Sequence, residues 1–206
     1  MSCGFSRIEG RVIVIATRNA GKIREIRQIL AHLPARWKTL DEFPELPDCE
    51  ETGMTFADNA RAKALYYSEA TGHLALADDS GLEVDVLEGR PGVRSARYAG
   101  AGKDDAANNA RLIGELAGIP AEQRTARFRC AAALAEKGRV LAEGDGSVEG
   151  RIIDEPRGHN GFGYDPHFLL PERGVTTAEL DTAEKSRISH RGRALRALAA
   201  KLEELG

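Results

Sequence analysis

The sequence predicts an α/β domain: a mixed β-sheet with helices packed against it. Two patterns carry that reading. In the first half, short apolar runs rich in β-branched residues alternate with stripes of helical period. In the second half, strand-like runs follow one another directly, as in a meander. The length of 206 residues suits one domain, 1–206, with room for two lobes around a central cleft. A core of that size folds without a disulfide or metal staple. Hydrophobic residues at 42% and charged residues at 30% place the chain with globular rather than disordered sequences.

The elements follow in order. Residues 1–10 are expected to be a flexible extension. The β-branched run at 12–16 is the first strand. Ile23, Ile26, Ile29, Leu30 and Leu33 then recur at three- and four-residue steps, the apolar stripe of a helix that Pro34 ends. A second strand is expected at 37–40, and an acidic loop with Pro44 and Pro47 at 41–52. A long helix covers 56–70 and stops at Gly72. The apolar run 74–77 reads as a buried strand ending at the turn-like Asp78-Asp79-Ser80-Gly81, with strand character resuming at 82–86. A turn at 89–92 precedes a helix at 105–117, which Gly118 stops. Residues 125–134 and 139–143 flank Lys137-Gly138 as a β-hairpin, and 148–153 adds a third antiparallel strand. A glycine-rich loop at 155–166, a short strand at 168–170 and a C-terminal helix marked by Leu195, Leu198, Ala199, Leu202 and Leu205 complete the chain.

Charge and cysteine usage narrow the function. A net charge of −3 lacks the basic face that a general grip on nucleic acid needs. Cys3, Cys49 and Cys130 are scattered, with no CxxC pair, so neither a disulfide framework nor a thiolate zinc site is indicated. A reducing compartment follows. No signal-like start and no run of about 18 apolar residues appear. The expectation is a cytoplasmic protein with no membrane partner.

Four segments concentrate chemistry. The first is Thr17-Arg18-Asn19-Ala20-Gly21-Lys22, between the first strand and first helix. A strand-to-helix turn offers free N–H groups and the positive end of a helix dipole, an anion site to which Thr17, Asn19 and Lys22 add donors. The plain alternative is a capped helix with a surface lysine. The second is the acidic pair Glu50-Glu51 and Asp78-Asp79-Ser80. Loops after strand ends bind ligands in α/β sheets, and such hard oxygen donors suit Mg²⁺. A carboxylate left off the metal accepts a proton from water. Against this stands a simple turn, although two adjacent charges repel unless something offsets them. The third is Gly158 to Pro166, with Phe162, Gly163, Tyr164 and Asp165. Its aromatics form a platform for a base, or else turn into the core. The fourth runs from Glu184 to Gly192 and holds Lys185, Ser189, His190 and Arg191. These converge only if the helix breaks near Ser189; otherwise the segment is a solvated basic face. Lys63 and Arg97 are further cations, each open to a reading as plain surface charge.

The succession TxNxGK, EETGxTFxxNAxxKA, ADDSGLxVDxLxGxPGxxSARYAG, GFGYDP and EKSxISHRGxAL closely resembles the inosine triphosphate pyrophosphatase family over about residues 12–200. The resemblance implies a two-lobed fold on a long mixed sheet, a homodimer, and hydrolysis of ITP, dITP or XTP to the monophosphate and pyrophosphate. Such an activity cleanses the nucleotide pool. Carried over by motif, the segment from Thr17 to Lys22 holds the triphosphate, with Asn19 inside it and Lys63 near the phosphates. Glu51 and Asp79 are associated with Mg²⁺, and Asp79 is the proton acceptor beside Asp78. Ser80 contacts substrate, while Phe162, Gly163, Tyr164, Asp165, Lys185, His190 and Arg191 recognise the nucleotide. Arg97 is added as a substrate cation. Arg18 departs from the small residue of many relatives, and either touches phosphate or faces solvent.

The chemistry this implies is attack of water on the α-phosphorus, with Lys22 and Lys63 meeting the growing charge and Asp79, or Asp78 beside it, taking the proton. Selectivity comes from donors facing the six-carbonyl that hypoxanthine and xanthine carry and adenine lacks. Three alternatives stand beside it: a Maf-like pyrophosphatase for modified pyrimidine nucleotides, a non-catalytic nucleotide-binding protein, and a phosphatase releasing orthophosphate.

Overall fold

The computed structural model describes residues 5–102 and 104–204. Seven strands and five α-helices form among them: β1 (Val12–Ile15), α1 (Ala20–Ile29), β2 (Arg36–Thr39), α2 (Phe56–Thr71), β3 (Leu74–Val84), α3 (Asp105–Glu115), β4 (Thr125–Glu136), β5 (Arg139–Ile152), β6 (Phe168–Leu170), β7 (Val175–Thr176), α4 (Thr182–Ile188) and α5 (His190–Glu204). The strands hydrogen-bond in the order β2-β1-β3-β4-β5-β6-β7. β1 pairs in parallel with both β2 and β3, whereas β6 pairs antiparallel with β5 and β7. The sheet is therefore mixed, as expected. The parallel part follows from the crossovers, since α1 and α2 each return the chain to start the next strand in the same direction.

The chain divides into two compact units, each discontinuous in sequence. The first takes the described residues up to Asp79, Cys130–Gly146, and the residues from His190 onward; the second takes Ser80–Arg129 and Ser147–Ser189. In the first, Ile13, Ile15, Ile26, Leu30, Leu74, Leu76, Leu134, Leu195, Leu198 and Leu202 share one core. Phe5 and Ile8 belong to it. Within the expected flexible extension, residues 5–10 are thus tied to the domain by two buried apolar side chains. α1 lies against α5. Gly144 and Gly146 on β5 let α5 approach, because a Cβ at either would collide with backbone of that helix. The second unit has its own core, with Leu82, Leu112, Phe128, Ile152, Tyr164, Phe168 and Leu180 among its members.

Caps mark the helix ends. Asn19, Thr55, Asp104 and Asp181 each accept a backbone N–H of the following turn. Gly72 ends α2 in the left-handed region at φ 68°. Two expectations are overturned. Asp78-Asp79-Ser80-Gly81 is no turn but the middle of β3. Likewise 139–143 and 148–153 are one strand, β5, whose glycines read as a break but serve packing. The short β7 was not anticipated. Leu205 and Cys3 lie outside the described residues. Among the described residues, no helix is long and apolar enough to cross a membrane.

Candidate active site

In the first unit, β1 delivers the chain to the loop before α1. Thr17 accepts the Asn19 N–H at 3.2 Å, and Asn19 accepts the Lys22 N–H at 3.0 Å. The first turn of α1 is thereby capped, and the N–H groups at its start lack partners within the helix. One turn in, Lys22 places its Nζ 3.0 Å from Oδ2 of Asp78. Arg191, on the first turn of α5, donates Nε to the same oxygen at 3.1 Å. Asp78 and Arg191 are both 1% exposed. Burial alone would raise the Asp78 carboxyl, but Lys22, Arg191 and Lys63 outweigh it and hold the group well below the usual carboxylate range.

Asp79 is the next residue on the strand, so its side chain leaves the opposite face. Asn59 on α2 donates Nδ2 to its Oδ2 at 2.9 Å. Lys63, one turn further along α2, stands 3.8 Å from its Oδ1 and 2.7 Å from Oε1 of Glu51. Burial pushes the Asp79 carboxyl up, and Lys63, Lys22 and Asn59 only partly offset it. The Lys63 ammonium is itself disfavoured by burial, yet Asp79, Asp78 and Glu51 keep it charged, above its ordinary value. Asn59 also accepts the Gly53 N–H at 2.8 Å. A Cβ at Gly53 would press on that amide, so glycine is needed for the approach.

In the second unit, the loop before β6 wraps around a buried carboxylate. Asp165 accepts the Phe162 N–H at 2.8 Å and Lys185 Nζ at 2.6 Å on Oδ2, and the Thr177 hydroxyl at 2.8 Å on Oδ1. Gly161 sits at φ 80°, where a Cβ would strike Asp165. The Phe162 ring is half-buried, with Lys185 Nζ 5.1 Å from its centroid. Gly163 is held from both sides: Asp105 accepts its N–H at 2.7 Å and Asn109 donates to its carbonyl at 2.9 Å.

Sequence-predicted residues therefore fall into two groups. Thr17, Asn19, Lys22, Glu51, Lys63, Asp78, Asp79, His190 and Arg191 lie in the first unit; Ser80, Arg97, Phe162, Gly163, Tyr164, Asp165 and Lys185 lie in the second. Ser80 is partly exposed on β3, Arg97 is exposed at the end of a 3₁₀ turn, and His190 is buried where α5 begins. The break that the fourth segment needed is present, with Ser189 extended between α4 and α5. Three further side chains have these partners. Tyr164 is a core residue, its hydroxyl donating to the Ser95 carbonyl at 2.8 Å. Arg191 grips Asp78 and Glu25. Arg18 turns onto the acidic loop, donating to Asp48 at 3.2 Å and to the Leu40 and Leu46 carbonyls at 3.3 and 2.9 Å.

Sequence reading assigned no role to Glu25, Asp105 or Asn59, the last quoted only within its motif. Two had a visible cue. Asn59 lies four residues before Lys63 on one helix face, and Glu25 lies three after Lys22, flanked by Ile23 and Ile26.

Such a constellation, carboxylates and lysines below a helix N-terminus on a mixed sheet, defines a class of α/β proteins equipped to handle phosphate esters. The chain belongs to the Ham1 family, whose model matches residues 13–201. It is 54% identical to the dITP/XTP pyrophosphatase of Geobacillus kaustophilus, over 94% of this chain and 95% of that protein. It is 50% identical to the dITP/XTP pyrophosphatase of Bacillus subtilis, over 92% and 96%. Among solved structures, the Staphylococcus aureus Ham1 protein superposes with a TM-score of 0.84 at 39% identity, covering 95% of this chain and all of that one. A HAM1 protein from Coxiella burnetii gives 0.84 at 44%, covering 94% and 99%.

Proposed function

We propose that this chain hydrolyses deaminated purine nucleoside triphosphates (ITP, dITP or XTP) to the monophosphate and pyrophosphate, keeping these bases out of DNA and RNA. The observation that carries the reading is the adjacent pair Asp78 and Asp79 with opposite surroundings: Lys22 and Arg191 on one, Asn59 and Lys63 on the other. The relatives named dITP/XTP pyrophosphatase supply the substrate class.

Water attacks the α-phosphorus while pyrophosphate leaves, so negative charge grows on the leaving oxygens. Lys22, Lys63 and the first N–H groups of α1 are assigned to that charge, in most phosphoryl transfers the dominant demand. Asp79 is assigned the proton of the attacking water, the role that the resemblance implies, and of the two acids it is the one without two cations on a single oxygen. Asp78 is a weak base, with two cations on one oxygen. Its role is a fixed negative charge that holds Lys22 in place.

Glu51 and Asp79 would hold the divalent metal, read as Mg²⁺. Both are hard oxygen donors, and both face the Lys63 ammonium. No group of three or more His, Cys, Asp or Glu among the described residues is placed to hold a metal. Two carboxylates are within the number that Mg²⁺ usually takes from protein, with phosphates and water completing its shell. When bound it supplies positive charge at the phosphates.

For the base, Phe162 offers a stacking face that accepts any purine. Lys185, fixed by Asp165, is assigned to the six-carbonyl, and His190 keeps the recognition role that the resemblance implies. Adenine would set its amino donor against a donor, a mismatch large enough for discrimination of several orders of magnitude. A homodimer is the setting the resemblance implies, and the cytoplasm is the compartment that cysteine usage predicts. The test is a nucleotide panel with Mg²⁺, reading pyrophosphate and orthophosphate separately. Pyrophosphate from ITP, dITP and XTP, with little from ATP, is the expected result. Equal cleavage of ATP, or release of orthophosphate, overturns the reading.

A further inference from the structure

We propose that Glu25 is a positioning residue for the hydrolytic reaction, acting through Arg191 on Asp78. The inference rests on the function proposed above, and adds to it a residue that never touches the reacting atoms.

Glu25 is a carboxylate in a place where carboxylates are rarely left, 6% exposed on the buried side of α1. Its Oε2 accepts Nη1 of Arg191 in a short ion pair. The same guanidinium donates Nε to Asp78 Oδ2 at 3.1 Å. One planar fork therefore spans two buried carboxylates, one from α1 and one from β3. Lysine, a single point charge, does not reproduce that geometry. Lys22 lies three residues before Glu25 on α1 and meets Asp78 Oδ2 at 3.0 Å. α1 thus supplies both a direct cation for Asp78 and the anion that aims the second cation at it.

Stability gives little reason to keep such an arrangement. Buried ion pairs lose in desolvation about what they gain in attraction, and apolar replacements often match them. A gain in placement is the better account. Asp78 neighbours the proposed base by one residue and anchors Lys22, so an error in its position passes to both. Neutralising Glu25 removes one of the two carboxylates that the guanidinium spans, so Asp78, and Lys22 with it, are held less tightly. The transition state should suffer more than the bound substrate.

The test measures kcat, KM for ITP and thermal unfolding in E25Q and E25D. E25Q is expected to lose about tenfold or more in kcat with KM within about threefold of wild type, the pattern of lost placement rather than lost binding. E25D keeps the charge one methylene back, and should fall between E25Q and wild type. A folded E25Q with wild-type kcat overturns the proposal. So does a raised KM at unchanged kcat, which would make the Arg191 cluster a binding element. If E25Q does not fold, E25D decides: reduced kcat at constant KM supports the proposal, and wild-type kinetics leave Glu25 a purely structural role. Wild-type release of pyrophosphate from ITP separates failure of this inference from failure of the function itself.

Discussion

At the scale of single residues, two aspartates adjacent in sequence are given different characters by their neighbours alone. Asp78 is gripped by Lys22 and Arg191; Asp79 is buried with an amide at 2.9 Å and an ammonium further off at 3.8 Å. Environments that push two carboxylates apart commonly divide their roles. Asp79→Asn is accordingly expected to lower kcat by at least about a hundredfold, within the range for loss of a general base. Near-wild-type turnover in that variant would take Asp79 out of the reaction. The sequence made this pair conspicuous, since doubled acids after an apolar run are unusual. It did not show which acid was which, because Asn59 and Arg191, the latter paired with Glu25, reach them only through the tertiary fold.

At the scale of elements, the acidic loop between β2 and α2 depends on contacts outside its own sequence. Residues 43–52 contain no helix or strand. Arg18 ties the loop through Asp48 and the Leu40 and Leu46 carbonyls, and Tyr67 accepts the Cys49 N–H at 3.1 Å. Arg18→Ala should free it. Faster proteolytic nicking within 43–50 is expected, with a melting temperature lower by up to about 10 °C, since three hydrogen bonds contribute up to about 1 kcal/mol each. Unchanged nicking would show that the loop is held without Arg18. Helix ends and strand cores were readable here because caps and apolar periods are local: Asn19, Thr55 and Gly72 stand where the helices begin or stop. β3 was misread across Asp78 to Gly81 because those residue types favour turns, and the cations that let two acids sit mid-strand come from α1, α2 and α5. β5 was misread for a similar reason, its glycines answering to α5 rather than to the strand.

For the whole molecule, the buried charges make stability depend on pH in a signed way. Asp78 titrates far below its unfolded value of about 3.9. Its contribution is therefore complete above that value and lost as pH falls below it. Asp79 is shifted upward, so its contribution has the opposite sign: stability is lost as pH rises from about 3.9 through the raised folded value. In urea unfolding without metal, Asp78→Asn should flatten the acid-side fall in stability between about pH 4 and 2.5. Asp79→Asn should remove the loss on the other side, above about pH 4. An acid slope identical in wild type and Asp78→Asn would mean that the buried pair is not ionised as described.

Arg191 and Asp78 are 113 residues apart in sequence. Leu195, Leu198 and Leu202 complete the same core that Ile13 and Ile15 begin. A core shared by β1 and α5 is complete only when both are in place. The helix that completes the first core is therefore also the one that brings the arginine to the aspartate.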